Sequence, residues 1–204
     1  GNILGGEQSG FISDIGFEMY QKILDEALQE LKESQFRELN TKELPSEFVS
    51  ECTLDTDLNA LIPDDYVENV SARLSLYKEL SQVTDEQKLQ LFGNSLIDRF
   101  GPLPDEVESL LQSMRIKWLG KELGFEMIRL KGGFLYAYFI TNQESQFYSS
   151  DYFGHLIQLI QGNSKCKMRE KGGKLSLIFR EVRSINQALF LLESLQKSLL
   201  ASRN

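Results

Sequence analysis

The sequence predicts an α+β fold: an N-terminal helical appendage, a three-helix section, then doubled ββα units forming an antiparallel-rich sheet with packed helices. Three observations carry that expectation. Apolar residues recur at helical spacing, between clear cap signals, as far as Gly124. Beyond Gly124 the pattern shortens to strand length. Finally, "MIRLKGGFLYAYF" at 127–139 aligns with "KMREKGGKLSLIF" at 167–179, an offset of 40 residues at which Arg, Lys, Gly, Gly, Leu and Phe coincide.

The elements follow in order. From Ile15 to about Ser34, Ile15, Met19, Ile23, Ala27 and Leu31 form one helical stripe, and Phe17, Tyr20, Leu24 and Leu28 an adjacent one. So wide an apolar face needs a sizeable partner surface. The periodicity fades over 35–47, and Pro45 marks a linker placed at 39–47. The units are therefore 1–38, the linker, and a domain over 48–204. "FVSECTL" reads as a short strand. Pro63 with Asp64 and Asp65 reads as a turn into a helix, with acids suited to its first turn. Val70, Leu74, Tyr77 and Leu80 mark that helix. Thr84 and Gln87 form a capping-box pattern opening a second, which buries Leu89, Phe92, Leu96 and Phe100 and stops at Gly101. Pro104 opens a third, with Val107, Leu111, Met114 and Trp118 inward and Gly124 at its end. Each Gly-Gly segment then reads as a hairpin followed by a helix, at roughly 149–161 and 184–200, the last opened by Ser184 and Gln187.

Composition narrows the function classes. The chain has 204 residues and a net charge of −8. That charge is divided: −6 over 1–47, −9 over 48–114 and +7 over 115–204. Overall acidity argues against general nucleic-acid coating, while the asymmetry leaves room for one basic surface. Cys52 and Cys166 fit no metal spacing and read as reduced structural thiols. His155 stands without a Cys or His neighbour, which favours an ordinary helix histidine over a ligand or general base. No Walker-type loop, Ser/His/Asp set or zinc spacing occurs, so no catalytic residue, metal or cofactor is expected for this chain.

Two stretches carry candidate contacts. Lys165, Lys167, Arg169 and Lys171 alternate and so share one strand face, with Cys166 and Met168 on the other; Lys174 follows the turn. One reading is an edge strand whose lysines deter edge-to-edge pairing. The other is a patch for phosphate or an acidic protein surface. No aromatic residue interleaves with these lysines along the strand, which leaves base stacking unsupported. The second stretch is the opening "GNILGGEQSG", whose four glycines permit close backbone approach and which reads as the start of a piece of something longer.

"GNILGGEQSGFISDIGFEMYQKILDEAL" resembles the end of the second motor domain of the bacterial transcription-repair coupling factors, whose translocation motif is shared with the RecG helicase. Gly5, Gln8, Ser9 and Gly10 would form that motif. "LIPDDYVENVSARLSLYKEL" and "LIDRFGPLPDEV" are similar to the C-terminal domain peculiar to the coupling factors. The resemblance implies a parent that is an ATP-driven translocase on double-stranded DNA, cytoplasmic, with ATP and Mg²⁺ in a motor outside this chain. Such a parent displaces stalled RNA polymerase and recruits the excision-repair damage-recognition protein (UvrA). It further implies that 48–204 is an autoinhibitory clasp on the parent's N-terminal repair-like module. The alternative is a DNA-contacting module using the basic 165–174 hairpin.

Overall fold

Helix and strand boundaries fall where local chemistry stops the preceding element. The computed structural model describes residues 48–201; the translocation-motif stretch, the helix from Ile15 and the 39–47 linker lie outside the described residues. The elements are β1 (Thr53–Thr56), α1 (Val70–Ser81), α2 (Glu86–Phe100), α3 (Asp105–Leu123), β2 (Met127–Lys131), β3 (Phe134–Tyr138), α4 (Asp151–Gln161), β4 (Cys166–Lys171), β5 (Lys174–Arg180) and α5 (Ile185–Ala201).

The caps explain the helix starts. Asn69 caps α1 by accepting from the Ala72 N–H at 2.9 Å. Asp64 and Asp65 instead occupy a separate turn, in which the Tyr66 and Val67 N–H groups bond to the Pro63 carbonyl. The expected first-turn acids are therefore outside the helix. For α2 the cap is Asp85, accepting from Lys88 N at 2.8 Å, one residue beyond the expected Thr84. Asp wins because a carboxylate at the helix N-terminus adds a favourable dipole term. Pro104 is itself the N-cap of α3, and Gly124, at φ 93°, ends the helix in the left-handed conformation. Gln187 N donates to Ser184 Oγ at 3.0 Å at the start of α5.

The strands form one five-stranded sheet in the order β1-β2-β3-β5-β4. β1 runs parallel to β2 and the other pairs are antiparallel. The two glycines of each turn have positive φ, 61° and 80° at Gly132–Gly133 and 59° and 76° at Gly172–Gly173. Both central positions of a type I′ turn demand that conformation, which a side chain resists.

α3 joins two apolar cores. Its first half gives Val107, Leu111 and Met114 to a cluster with Leu76, Leu80, Leu89, Phe92 and Leu96 of α1 and α2. Its second half gives Ile116, Leu119 and Leu123 to the larger core beneath the sheet, with α4 and α5. A fully buried Leu or Ile in such a place contributes about 1.5–3 kcal/mol. The helix marked by Val70, Leu74, Tyr77 and Leu80 forms as expected. Leu80 is buried together with Leu76, whereas Val70 and Leu74 are 60% and 65% exposed. Leu76 and Leu80 sit one turn apart and dock α1, with Ala72 packed against the same cluster.

Candidate contact surfaces

Strand pleating divides the sheet into a covered and an open face. Ile128, Leu130, Leu135, Ala137, Leu177 and Phe179 point into the core and are all buried. Their neighbours on the same strands point the other way. Register then sets cross-strand rows on the open face: Arg129–Tyr136–Ile178–Lys167 in one, Met127–Tyr138–Ser176–Arg169 in the next. Phe134, Tyr136, Tyr138 and Ile178 belong to neither apolar core.

On that face β3 carries three aromatic rings in line. Phe134 and Tyr136 have centroids 6.0 Å apart, and Tyr136 and Tyr138 are stacked at 6.3 Å with planes 22° apart. Arg129 lies 5.7 Å from the Tyr138 centroid, within reach of a cation–π contact. Asp55 accepts from Arg129 at 3.2 Å and from Lys131 at 3.0 Å. The Lys131 ammonium, with the Arg129 guanidinium, holds its carboxyl below the ordinary carboxylate range.

Lys167, Arg169 and Lys171 lie on the open face of β4, at the edge of the sheet, and Lys174 begins β5. Lys165 immediately precedes β4. None of these five, nor Arg180, takes part in an ion pair among the described residues. A concavity of about 1040 Å³ runs from Tyr136 and Ile178 past Lys167 and Arg180 to Phe190 on α5; Glu181 is its one carboxylate among the described residues. No aromatic residue interleaves with the lysines in sequence, yet the sheet register brings aromatics near them in space. Tyr136 and Lys167 are 31 positions apart in the chain, yet only Ile178 separates them in the sheet. The alternating "FLYAYF" was the available signal, because it predicts Phe134, Tyr136 and Tyr138 on one face.

A second surface lies on the helical section. Val70 and Leu74 are one turn apart on α1, with Tyr77 36% and Leu61 40% exposed beside them. The Ile62 N–H donates to the Tyr77 hydroxyl at 2.7 Å, fixing the loop that carries Leu61. Arg73 pins the helix start through the Val67 carbonyl at 2.8 Å. The result is an exposed apolar stripe in the most acidic third of the chain, with Asp64, Asp65 and Glu68 close by in sequence.

The cysteines are buried and free. Burial pushes the Cys52 thiol up to about 12 and that of Cys166 up to about 11, so both are poor nucleophiles in the folded chain. No cluster of three or more His, Cys, Asp or Glu side chains suited to a metal occurs among the described residues. No described helix is long and apolar enough to cross a membrane. Gly5, Gln8, Ser9 and Gly10 fall outside the described residues.

Fold and topology together define an α+β domain with a five-stranded mixed sheet. Residues 56–150 match the TRCF domain. The chain is 39% identical over 137 residues to the transcription-repair-coupling factor of Haemophilus influenzae, covering 66% of this chain and 12% of that protein. It is 36% identical over 135 residues to that of Escherichia coli, covering 65% and 11%. A solved structure described as the C-terminal domain of transcription-repair coupling factor superposes with a TM-score of 0.56 at 23% identity, covering 76% of this chain and 96% of that one. The chain belongs to the transcription-repair coupling factor family, and its described fold is that of the family's C-terminal domain. It spans about an eighth of the length of the relatives it matches.

Proposed function

We propose that residues 48–204 are an autoinhibitory protein-docking domain, joined through the 39–47 linker to residues 1–38 as the end of a translocation motor. The observation that carries this reading is the exposed Leu61–Val70–Leu74–Tyr77 stripe, left uncovered while Leu76 and Leu80 of the same helix are buried. An exposed apolar stripe with an acidic surround is what a protein partner recognises. The partner is the N-terminal repair-like module of the same parent, docked so as to mask that module's surface for UvrA. Because the two are tethered, the effective concentration reaches the millimolar range, and a small patch suffices. The parent's contacts with double-stranded DNA and RNA polymerase, and its use of ATP and Mg²⁺, belong to the motor. This chain contributes no catalytic residue and binds no cofactor; Gly5, Gln8, Ser9 and Gly10 contribute the translocation loop. The whole works in the cytoplasm.

Titration calorimetry of the full chain against the separately produced N-terminal module tests the reading. Binding that Leu74→Asp weakens at least tenfold, with the fold intact by circular dichroism, supports it. Absence of binding, or binding indifferent to Leu74→Asp and Val70→Asp, overturns it. A duplex oligonucleotide in a parallel cell tests the alternative contact through the 165–174 hairpin.

A further inference from the structure

The open sheet face combines two chemistries that the helical stripe lacks: a row of aromatic rings, and cations that form no ion pair among the described residues. Phe134, Tyr136 and Tyr138 repeat at 6.0–6.3 Å, the spacing of alternate residues on a strand. Stacked nucleotides advance only about 3.4 Å, so this ledge suits a strand whose bases are splayed apart. Phe134 is 38% exposed at one end of the ledge. Arg129 and Lys131 border it on β2, where Asp55 already neutralises part of their charge. On the far side Lys167, Arg169, Lys171 and Arg180 form no ion pair among the described residues. The face is thus a positively charged border around aromatic rings, the arrangement by which β-sheets bind single-stranded nucleic acid.

We infer that the open face of the sheet, centred on Tyr136, is a binding site for single-stranded DNA. Bases stack on Phe134, Tyr136 and Tyr138, and the phosphates run along Lys167 and Arg169. Duplex DNA fits poorly, because its bases present edges and not faces to a protein surface. Among the described residues, the cross-strand rows that hold Tyr136 and Tyr138 carry one carboxylate, Asp55, which Arg129 and Lys131 hold, and no side-chain amide; Glu181, Asn186 and Gln187 of the concavity follow β5 and lie outside these rows. The rows thus offer little to accept from a ribose 2′-hydroxyl, which favours deoxyribose.

Fluorescence anisotropy of the full chain with labelled twelve-residue oligothymidylate, at 50 and 200 mM salt, tests the assignment. Binding is expected at low salt and to weaken as salt rises. Stacking worth about 1–3 kcal/mol per base predicts that Tyr136→Leu weakens binding roughly 5- to 150-fold. Tyr136→Phe keeps the ring and the affinity, which separates stacking from folding. Lys167→Gln with Arg169→Gln lowers the salt slope by about 1.4. The inference is overturned by absence of binding at 50 mM salt, or by Tyr136→Leu binding as wild type. Equal binding of duplex, or displacement by polyglutamate as readily as by unlabelled oligothymidylate, overturns it too by reducing the face to a charged surface. Oligouridylate binding more than tenfold tighter overturns the assignment to DNA.

Discussion

Ala137 of β3 pairs with Leu177 of β5, and the two are separated by 40 residues, the offset of the internal repeat. The repeat thus meets itself at this pair, which fixes an approximate two-fold axis through the sheet. The ladder obeys it: Leu135 pairs with Phe179, while Phe139 N donates to the Leu175 carbonyl at 2.9 Å. Both turns obey it too, since Arg183 approaches Gly133 and Gln143 approaches Gly173. Gln143 completes its contact by donating to the Gly173 carbonyl at 2.7 Å.

Both residues at that axis are fully buried, so the space there is shared. Leu177→Ala should destabilise the domain by about 2–5 kcal/mol through the cavity it leaves. Ala137→Leu should cost about 1–3 kcal/mol by overpacking. Because the side chains stand opposite one another, the double swap should be at least about 0.5 kcal/mol more stable than the sum of the two. Urea unfolding of the four chains measures it; strict additivity would refute a shared site.

Gly120 is a place of close approach between α3 and the segment entering β1. A Cβ there would lie 2.6 Å from Cys52 Sγ and 3.4 Å from Ile128 Cγ1. Gly120→Ala should therefore destabilise by about 1–3 kcal/mol, although alanine is the better helix former. Adding Cys52→Ala removes the sulfur and should restore part of the loss. Equal stability of Gly120→Ala and wild type in thermal unfolding would contradict the packing described.

Thiol chemistry should follow burial. With Cys52 and Cys166 pushed up to about 12 and about 11, neither should react with a thiol reagent within minutes at pH 8 in the folded chain. Both should react at once in denaturant, and two equivalents match the two cysteines of the sequence. Rapid release of one equivalent from native protein would place a cysteine at the surface.

A bidentate pair ties α2 to α3: Arg115 donates to Glu86 at 2.8 Å and 2.6 Å. The Arg115 hydrogen bonds hold the Glu86 carboxyl below its ordinary value of 4.5. A depressed folded pKa gives stability that is present above 4.5 and is lost as pH falls through the folded value. The pair is partly exposed, so the contribution is at most about 1 kcal/mol. Glu86→Gln should be slightly less stable than wild type at pH 7 and equal to it at pH 2. A constant gap across that range, followed by chemical denaturation, would contradict the linkage.

The doubled hairpins and α3 were legible because their signals are local: two Gly-Gly turns, a proline entry, a glycine exit. What the sequence did not reveal is set by long-range pairing. β1 joins the sheet parallel to β2 across 70 intervening residues, and nothing in "FVSECTL" encodes that partner. The aromatic ledge escaped for the same reason, since register alone carries Tyr136 toward Lys167. On α1 the four apolar residues at helical spacing gave the helix correctly but not its buried side. Helical spacing shows which residues share a face, and only packing decides which face is covered.

The docking reading rests on α1, and hydrogen–deuterium exchange of the full chain with and without the N-terminal module addresses it most directly. Added protection is expected within 58–82, containing Leu61, Val70, Leu74 and Tyr77, with strands β3–β5 unchanged. Protection confined to 127–139 and 166–180 would place the module on the open sheet face and contradict the assignment of α1 as the docking surface.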